Sequence, residues 1–202
     1  MSAHRAVVLA AGASERLGQP KPLVPVPTEG GEVPLVRWMV ERLEAADVEV
    51  VVVTRQELVV DVMLALPGRA IVINPDPDAG RTGSLQCGIK ALLDSKRSPK
   101  ELRVLVVPVD RPGFSDSTLG ILLEADECCC PAKDGRGGHP LLLMPEDLEN
   151  ILQAGRDIPL RDLVSPLKLI VSDPHLHLNL DSPDDLKILT VAIAQISSPR
   201  TS

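Results

Sequence analysis

Short apolar, β-branched runs recur along this chain, and between them lie stretches whose apolar positions repeat at helical spacing. The runs are Ala6 to Leu9, Val50 to Val53, Ile71 to Ile73, Val104 to Val107, Leu141 to Leu143 and Leu169 to Val171. Runs with no polar alternation predict strands buried on both faces. Between the first two, Val36, Met39, Val40 and Leu43 share one face of a predicted helix. Leu85, Ile89, Leu92 and Leu93 do the same ahead of the fourth run, and Leu119, Leu122 and Leu123 follow it. The last predicted helix groups Leu186, Leu189, Ile193 and Ile196. Apolar strands separated by amphipathic helices predict an α/β fold: three αβα layers, Rossmann-like, around a mostly parallel sheet. Such sheets bind ligands beyond the carboxyl ends of their strands, so the residues just after each run are the candidates for chemistry.

The connections add little to this picture. Asp94 to Lys100 reads as a polar surface link, residues 1–196 as one domain, and residues 197–202 as a disordered tail. A chain of 202 residues is long enough for one sizeable core. Composition narrows the function instead. The net charge of −7 argues against a long nucleic acid or an anionic membrane surface as partner. With one Trp, one Phe and no Tyr, the chain has no stacking platform for single strands. No apolar run approaches the ~20 residues of a membrane span, and the N-terminus lacks a signal-peptide layout, so a cytoplasmic protein is expected. The cysteines are Cys87 and the run Cys128 to Cys130. Neighbours on a strand point to opposite faces, so the run predicts small apolar residues of a buried, reduced strand rather than a metal site.

The candidate chemistry begins after the first run, at Ala10-Ala11-Gly12-Ala13-Ser14-Glu15-Arg16. Small side chains let a ligand approach the backbone, and successive N–H groups cradle phosphate oxygens. Arg16 offers a planar fork and Lys21 a compact point charge. Gly12 and Gly18 are one residue too far apart for a P-loop, no Lys-Ser/Thr pair follows, and the dinucleotide fingerprint is absent. A solvated turn with incidental charges is the other reading of these residues. The fourth run ends in Val109-Asp110-Arg111-Pro112. On the residues alone, Asp110 begins the turn before a helix capped by Ser115. Ser84 reads first as an N-cap. Ser182 suits an N-cap, Pro183 the first helical position, and Asp184 and Asp185 the positive helix end, which leaves Asp181 outside the cap. His175 and His177 alternate on one predicted strand face and, with no third ligand nearby, read as surface imidazoles.

Leu9 to Lys21 fits L-A-A-G-x-S-x-R-x-G-x-x-K. This resembles the signature of nucleotidyltransferases, and among them the small MobA-like enzymes, the molybdopterin cytidylyl- and guanylyltransferases. The resemblance implies a fold of the nucleotide-diphospho-sugar transferase type. It implies that Leu9, Ala10, Ala11, Gly12, Ser14 and Gly18 wrap a triphosphate, that Arg16 holds its β- and γ-phosphates, and that Lys21 neutralises charge at the α-phosphate. Asp110, in a D-x-P, would bind Mg²⁺, and Asp181, in a D-x-P-x-D-L, would add a second metal contact. Asn74, Gly83 and Ser84 would meet the base and ribose. Gly138 and His139, in a G-x-x-G-H-P, would shape the acceptor side, together with Arg161 from a stretch similar to G-D-x-G-x-R. That stretch is disrupted by Arg156 and Pro159, and Arg111 departs from the smaller or neutral residues expected beside the aspartate. The implied reaction moves a nucleoside monophosphate from an NTP to a phosphate-bearing acceptor such as molybdopterin. Ala10-Ala11-Gly12 leans toward CTP, with GTP open. A molybdoenzyme-maturation protein would be a natural partner. A sugar-phosphate, alditol-phosphate or phospholactate acceptor, or a nucleotide-binding regulator without transfer, are the alternatives.

Overall fold

The structure, a computed structural model, describes residues 4–93 and 102–197. The predicted polar link at 94–100 and the residues after Ser197 lie outside them. Along the chain the strands are β1 (His4–Leu9), β2 (Pro25–Thr28), β3 (Gly31–Pro34), β4 (Glu49–Arg55), β5 (Ala70–Asn74), β6 (Arg103–Pro108), β7 (Cys129–Lys133), β8 (Arg136–Gly137), β9 (Leu141–Leu143) and β10 (Leu167–Ile170). The helices are α1 (Leu35–Ala45), α2 (Val59–Ala65), α3 (Arg81–Leu93), α4 (Asp116–Glu124), α5 (Pro145–Gln153) and α6 (Pro183–Ser197).

One mixed sheet runs β10-β7-β9-β6-β1-β4-β5, with β8 hydrogen-bonded to β7. β6, β1, β4 and β5 are parallel neighbours, whereas β9 lies antiparallel between β6 and β7. Side chains of β1 alternate between two cores. Val7, with Val51, Val53, Val104 and Val106, meets Leu85 and Ile89 of α3 and Leu148 and Ile151 of α5. Ala6 and Val8, with Val52, Leu105 and Val107, meet Met39 and Leu43 of α1, Leu119 and Leu122 of α4, and Leu189 and Ile193 of α6. Helices therefore cover both faces of the sheet, which is the predicted three-layer order.

Some elements differ from the sequence reading. The β2–β3 hairpin escapes it because prolines at 25, 27 and 34 argue against strand, yet the two pair antiparallel away from the main sheet. Helices α2 and α5 are also unpredicted. Ser84 is not an N-cap. Gly80, at φ 137°, lets the chain enter α3 at Arg81, so Ser84 lies inside the helix and is buried. His175 and His177 do not share a strand. They lie in a turn closed by Leu178 N–H on His175 O at 2.8 Å, where the Nε2 of His175 is 2.9 Å from Gln195 Oε1 and that of His177 is 3.1 Å from Lys133 O. Among the described residues no helix is long and apolar enough to cross a membrane.

Candidate active site

The sheet's topology fixes where chemistry is possible. From β1 the chain crosses to β4 on one side, while β6 flanks β1 on the other, so the crevice opens at the carboxyl ends of β1 and β6. Leu9 faces Pro108 in register. Ala10 N–H donates to Val53 O at 2.8 Å, and Val109 N–H donates to Leu9 O at 3.0 Å. Residues 10–14 and 109–110 thus leave the sheet side by side.

The loop after β1 is folded by its own residues. Ser14 and Gly18 take left-handed φ values of 58° and 74° around the single turn Glu15–Leu17. Ser14 Oγ accepts Lys21 N–H at 3.0 Å, closing the loop at the start of the turn Lys21–Leu23. Lys21 Nζ then reaches across the crevice, 3.3 Å from Asp110 Oδ2 and 2.8 Å from Asp181 Oδ1. Asp181 arrives from the far end of the chain because Leu180 N–H donates to Asp110 O at 3.0 Å. Its own loop is held by Asp185, whose carboxylate accepts the Asp181 and Ser182 amides at 3.0 and 2.7 Å. The Lys21 ammonium keeps the Asp181 carboxyl below the usual carboxylate range, aided by the charges of Arg16 and Arg111.

Backbone 10–14, Arg16, Lys21, Arg81, Ser84, Asp110 and Asp181 line one cleft of about 310 Å³. Gly18 stands outside it as the left-handed residue that turns the loop. Asn74 and Gly83 sit a layer behind. Asn74 is fully buried; its Nδ2 donates to Ser84 Oγ at 2.9 Å, and its Oδ1 accepts Arg156 Nη2 at 2.7 Å. Gly83 N–H donates to Arg156 O at 3.1 Å, and a Cβ on Gly83 would lie 3.0 Å from Arg156 Nε. Arg156 is therefore the brace behind the cleft. The only trace of this in the sequence is the extra cation that disrupts G-D-x-G-x-R. Arg81, also missed by the sequence reading, has Nη2 3.8 Å from Asp110 Oδ2.

A second cavity of about 600 Å³ adjoins the cleft at Leu9, Arg81 and Pro108. Its walls include Leu85, Val106, Leu141, Ile158, Leu160 and Val164, with Gly138, His139 and Arg161 among its lining. Burial, then the charges of Arg111 and Arg81, push the His139 imidazole down to about 4, so it is neutral at neutral pH. Cys130 also lines this cavity, while burial raises Cys128 to about 12 and Cys129 to about 11, far from nucleophilic thiolates. Among the described residues no group of three or more His, Cys, Asp or Glu is placed to hold a metal ion. Asp110 and Asp181 nevertheless converge on one cation, the Lys21 ammonium.

Residues 6–171 match the MobA-like NTP transferase domain. The chain belongs to this family. It is a nucleotidyltransferase. Solved structures share the fold of this MobA-like transferase. Rv0371c of Mycobacterium tuberculosis H37Rv, in complex with manganese, is 20% identical with a TM-score of 0.65, over 93% of this chain and 97% of that one. Molybdopterin-guanine dinucleotide biosynthesis protein A of Archaeoglobus fulgidus is 17% identical with a TM-score of 0.67, over 95% and 99%. The inositol-1-phosphate CTP transferase of T. maritima is 17% identical with a TM-score of 0.67, over 100% and 99%. A comparison with curated protein sequences found no match.

Proposed function

We propose that this MobA-like transferase moves a nucleoside monophosphate, CMP in first place, from its NTP to a phosphate-bearing acceptor such as molybdopterin, with Mg²⁺ as cofactor. The observation that carries this reading is the meeting of Lys21, Asp110 and Asp181 in a cleft walled by the small-residue loop and Arg16. Two carboxylates are hard oxygen donors, and both reach the same point, so the donor set fits Mg²⁺ or Mn²⁺ with phosphates and water completing the shell. The manganese held by Rv0371c supports a divalent ion. When bound between Asp110 and Asp181, the ion would neutralise charge on the phosphate oxygens.

The chain's own residues do the positioning. Residues 10–14 line the cleft where a triphosphate would lie, and Arg16 presents its fork to the terminal phosphates. Lys21 opposes the negative charge that accumulates at the α-phosphorus in the transition state. An acceptor phosphate oxygen attacks that phosphorus in line; the new P–O bond forms as the α–β bridging P–O bond breaks and pyrophosphate leaves. No protein nucleophile takes part, so catalysis is orientation and electrostatic stabilisation. The apolar cavity would receive the acceptor's body, with neutral His139 offering a hydrogen bond and Arg81 and Arg161 facing its phosphate.

The test incubates the protein with CTP, Mg²⁺ and molybdopterin, follows pyrophosphate release and identifies the product by mass spectrometry. Cytidylylated molybdopterin is expected. Absence of pyrophosphate with CTP, GTP, UTP and ATP, for molybdopterin, sugar-phosphate and alditol-phosphate acceptors alike, overturns the reading.

A further inference from the structure

Next to the carboxylate pair lies a third recess of about 480 Å³ whose lining includes Arg111, Arg136, His175, His177 and Asn179. It starts where the cleft ends. Arg111 directly follows Asp110, and Asn179 donates its Nδ2 to the Asp181 carboxylate. Several of its walls are tied together. A Cβ on Gly113 would fall 1.8 Å from His175 O, so the segment after Asp110 lies backbone to backbone on the 173–178 turn. Ser115 N–H donates to Asp173 Oδ2 at 2.9 Å, and His177 joins the third wall through Lys133 O at 3.1 Å.

The charges in this groove are unbalanced. Arg111 Nε is buried and has no hydrogen-bond partner, and among the described residues neither Arg111 nor Arg136 has a carboxylate at ion-pair distance. The cations Arg81 and Arg136 act on Arg111 as like charges. The carboxylates that act on it, Asp110 and Asp181, are already engaged by Lys21. The acid that lines the groove, Asp185, is committed to the amides at the start of α6. A half-buried guanidinium whose Nε lacks an acceptor, set among like charges, is costly, and it occurs here in a chain carrying seven excess negative charges. A planar fork beside a second cation is the arrangement that grips phosphate or carboxylate oxygens.

We propose that this groove is an oxyanion-binding site in which Arg111 and Arg136 hold a phosphate or carboxylate group. Its position next to Asp110 and Asp181 suits a second anionic group on the acceptor, a version that rests on the proposed transfer reaction. A free oxyanion acting on the enzyme is the other source of the same chemistry.

The experiment is thermal unfolding of the full chain in potassium phosphate against potassium chloride at equal ionic strength, for wild type, Arg111→Gln, Arg136→Gln and Arg16→Gln. Phosphate is expected to raise the Tm of wild type and Arg16→Gln. Apparent phosphate affinity should fall about tenfold in each of the other two variants, the loss of one charge-assisted contact. In chloride, Arg111→Gln should unfold at or above the wild-type temperature, because an unpaired cation has been removed. Equal phosphate stabilisation in wild type, Arg111→Gln and Arg136→Gln overturns the proposal, as does none in wild type. These readings need no turnover, so their failure is separate from failure of the transfer reaction. In the transfer assay, competition between phosphate and the acceptor that is present in wild type and lost in Arg111→Gln identifies the groove as part of the acceptor site. A non-competitive phosphate effect lost in Arg111→Gln identifies a free-anion site, and a phosphate effect unchanged in Arg111→Gln overturns the proposal.

Discussion

At the residue scale, the ammonium of Lys21 lies between two carboxylates that would otherwise face each other across the crevice, and its backbone is tied to Ser14. One side chain thereby offsets part of the charge of both carboxylates and ties the loop to them. Lys21→Ala is expected to lower the rate of pyrophosphate release by about 10²–10³ while circular dichroism shows the fold retained, since the lost group acts like an oxyanion donor. Wild-type turnover in that variant would remove Lys21 from the chemistry. His139 gives a pH dependence of definite sign. Its folded value of about 4 lies below the ordinary 6.5, so the native state binds the proton less readily than the unfolded chain. The stability this contributes is full above about pH 6.5 and is lost as pH falls toward 4. Tm measured against pH should therefore fall less steeply over this window in His139→Asn than in wild type. Arg16 and Lys21 stood out in the sequence as the cations of the small-residue loop after the first run, and Asp110 and Asp181 through the resemblance of their D-x-P and D-x-P-x-D-L stretches. The burial of Asn74 behind Arg156 was not, because residues 82 positions apart meet only through the packing of α3 on the Gly155–Arg161 stretch.

At the element scale, the close approach of α3 to β1 decides where Arg81, Ser84 and the helix entrance lie relative to the loop. Gly88 makes that approach possible: a Cβ there would stand 2.4 Å from Val7 Cγ1 and 3.0 Å from Val53 Cγ2, with Val7 and Val53 both buried in the sheet. Gly88→Ala must push helix and sheet apart, and chemical denaturation should show a loss of about 1–3 kcal/mol despite the better helix propensity of alanine. An unchanged midpoint would mean the two layers slide freely. On the opposite face, Arg42 of α1 lies 4.5 Å over Trp38 and 4.7 Å over Phe114, and its Nη2 donates to Phe114 O at 3.0 Å. It ties α1 to the segment that leads from Asp110 into α4. Losing it in Arg42→Ala should cost about 1–2 kcal/mol in the same measurement, from the cation–π contacts and the bond to Asp116. Strands β1, β4, β5, β6, β9 and β10 and helices α1, α3, α4 and α6 were visible as period and run length, and β7 through its cysteines, whereas β8 was not. The β2–β3 hairpin was hidden by its prolines, and the antiparallel setting of β9 by the fact that Leu141 to Leu143 looks identical in either direction.

At the scale of the whole molecule, the candidate site belongs to no single element. The loop at 10–21 hangs from β1, Asp110 from β6, and Asp181 from the entry to α6, and the three are joined by side-chain ion pairs and the Leu180–Asp110 hydrogen bond. A ligand spanning these segments joins distant parts of the chain, so it stabilises the native state alone and contributes RT ln(1 + [L]/Kd). At a hundredfold excess over Kd this is about 2.7 kcal/mol. For a chain of this length it raises Tm by roughly 5–10 °C. CTP with Mg²⁺ is expected to give the largest shift among the four NTPs, and GTP the next. Asp110→Asn removes one of the two carboxylates while keeping its shape, so the part of the CTP shift that depends on Mg²⁺ should shrink while the metal-independent part, carried by Arg16 and the loop amides, persists. A Mg²⁺-dependent shift as large in Asp110→Asn as in wild type would place the metal elsewhere. A shift lost entirely, with and without Mg²⁺, would mean that the loop grips the triphosphate only once Asp110 is in place.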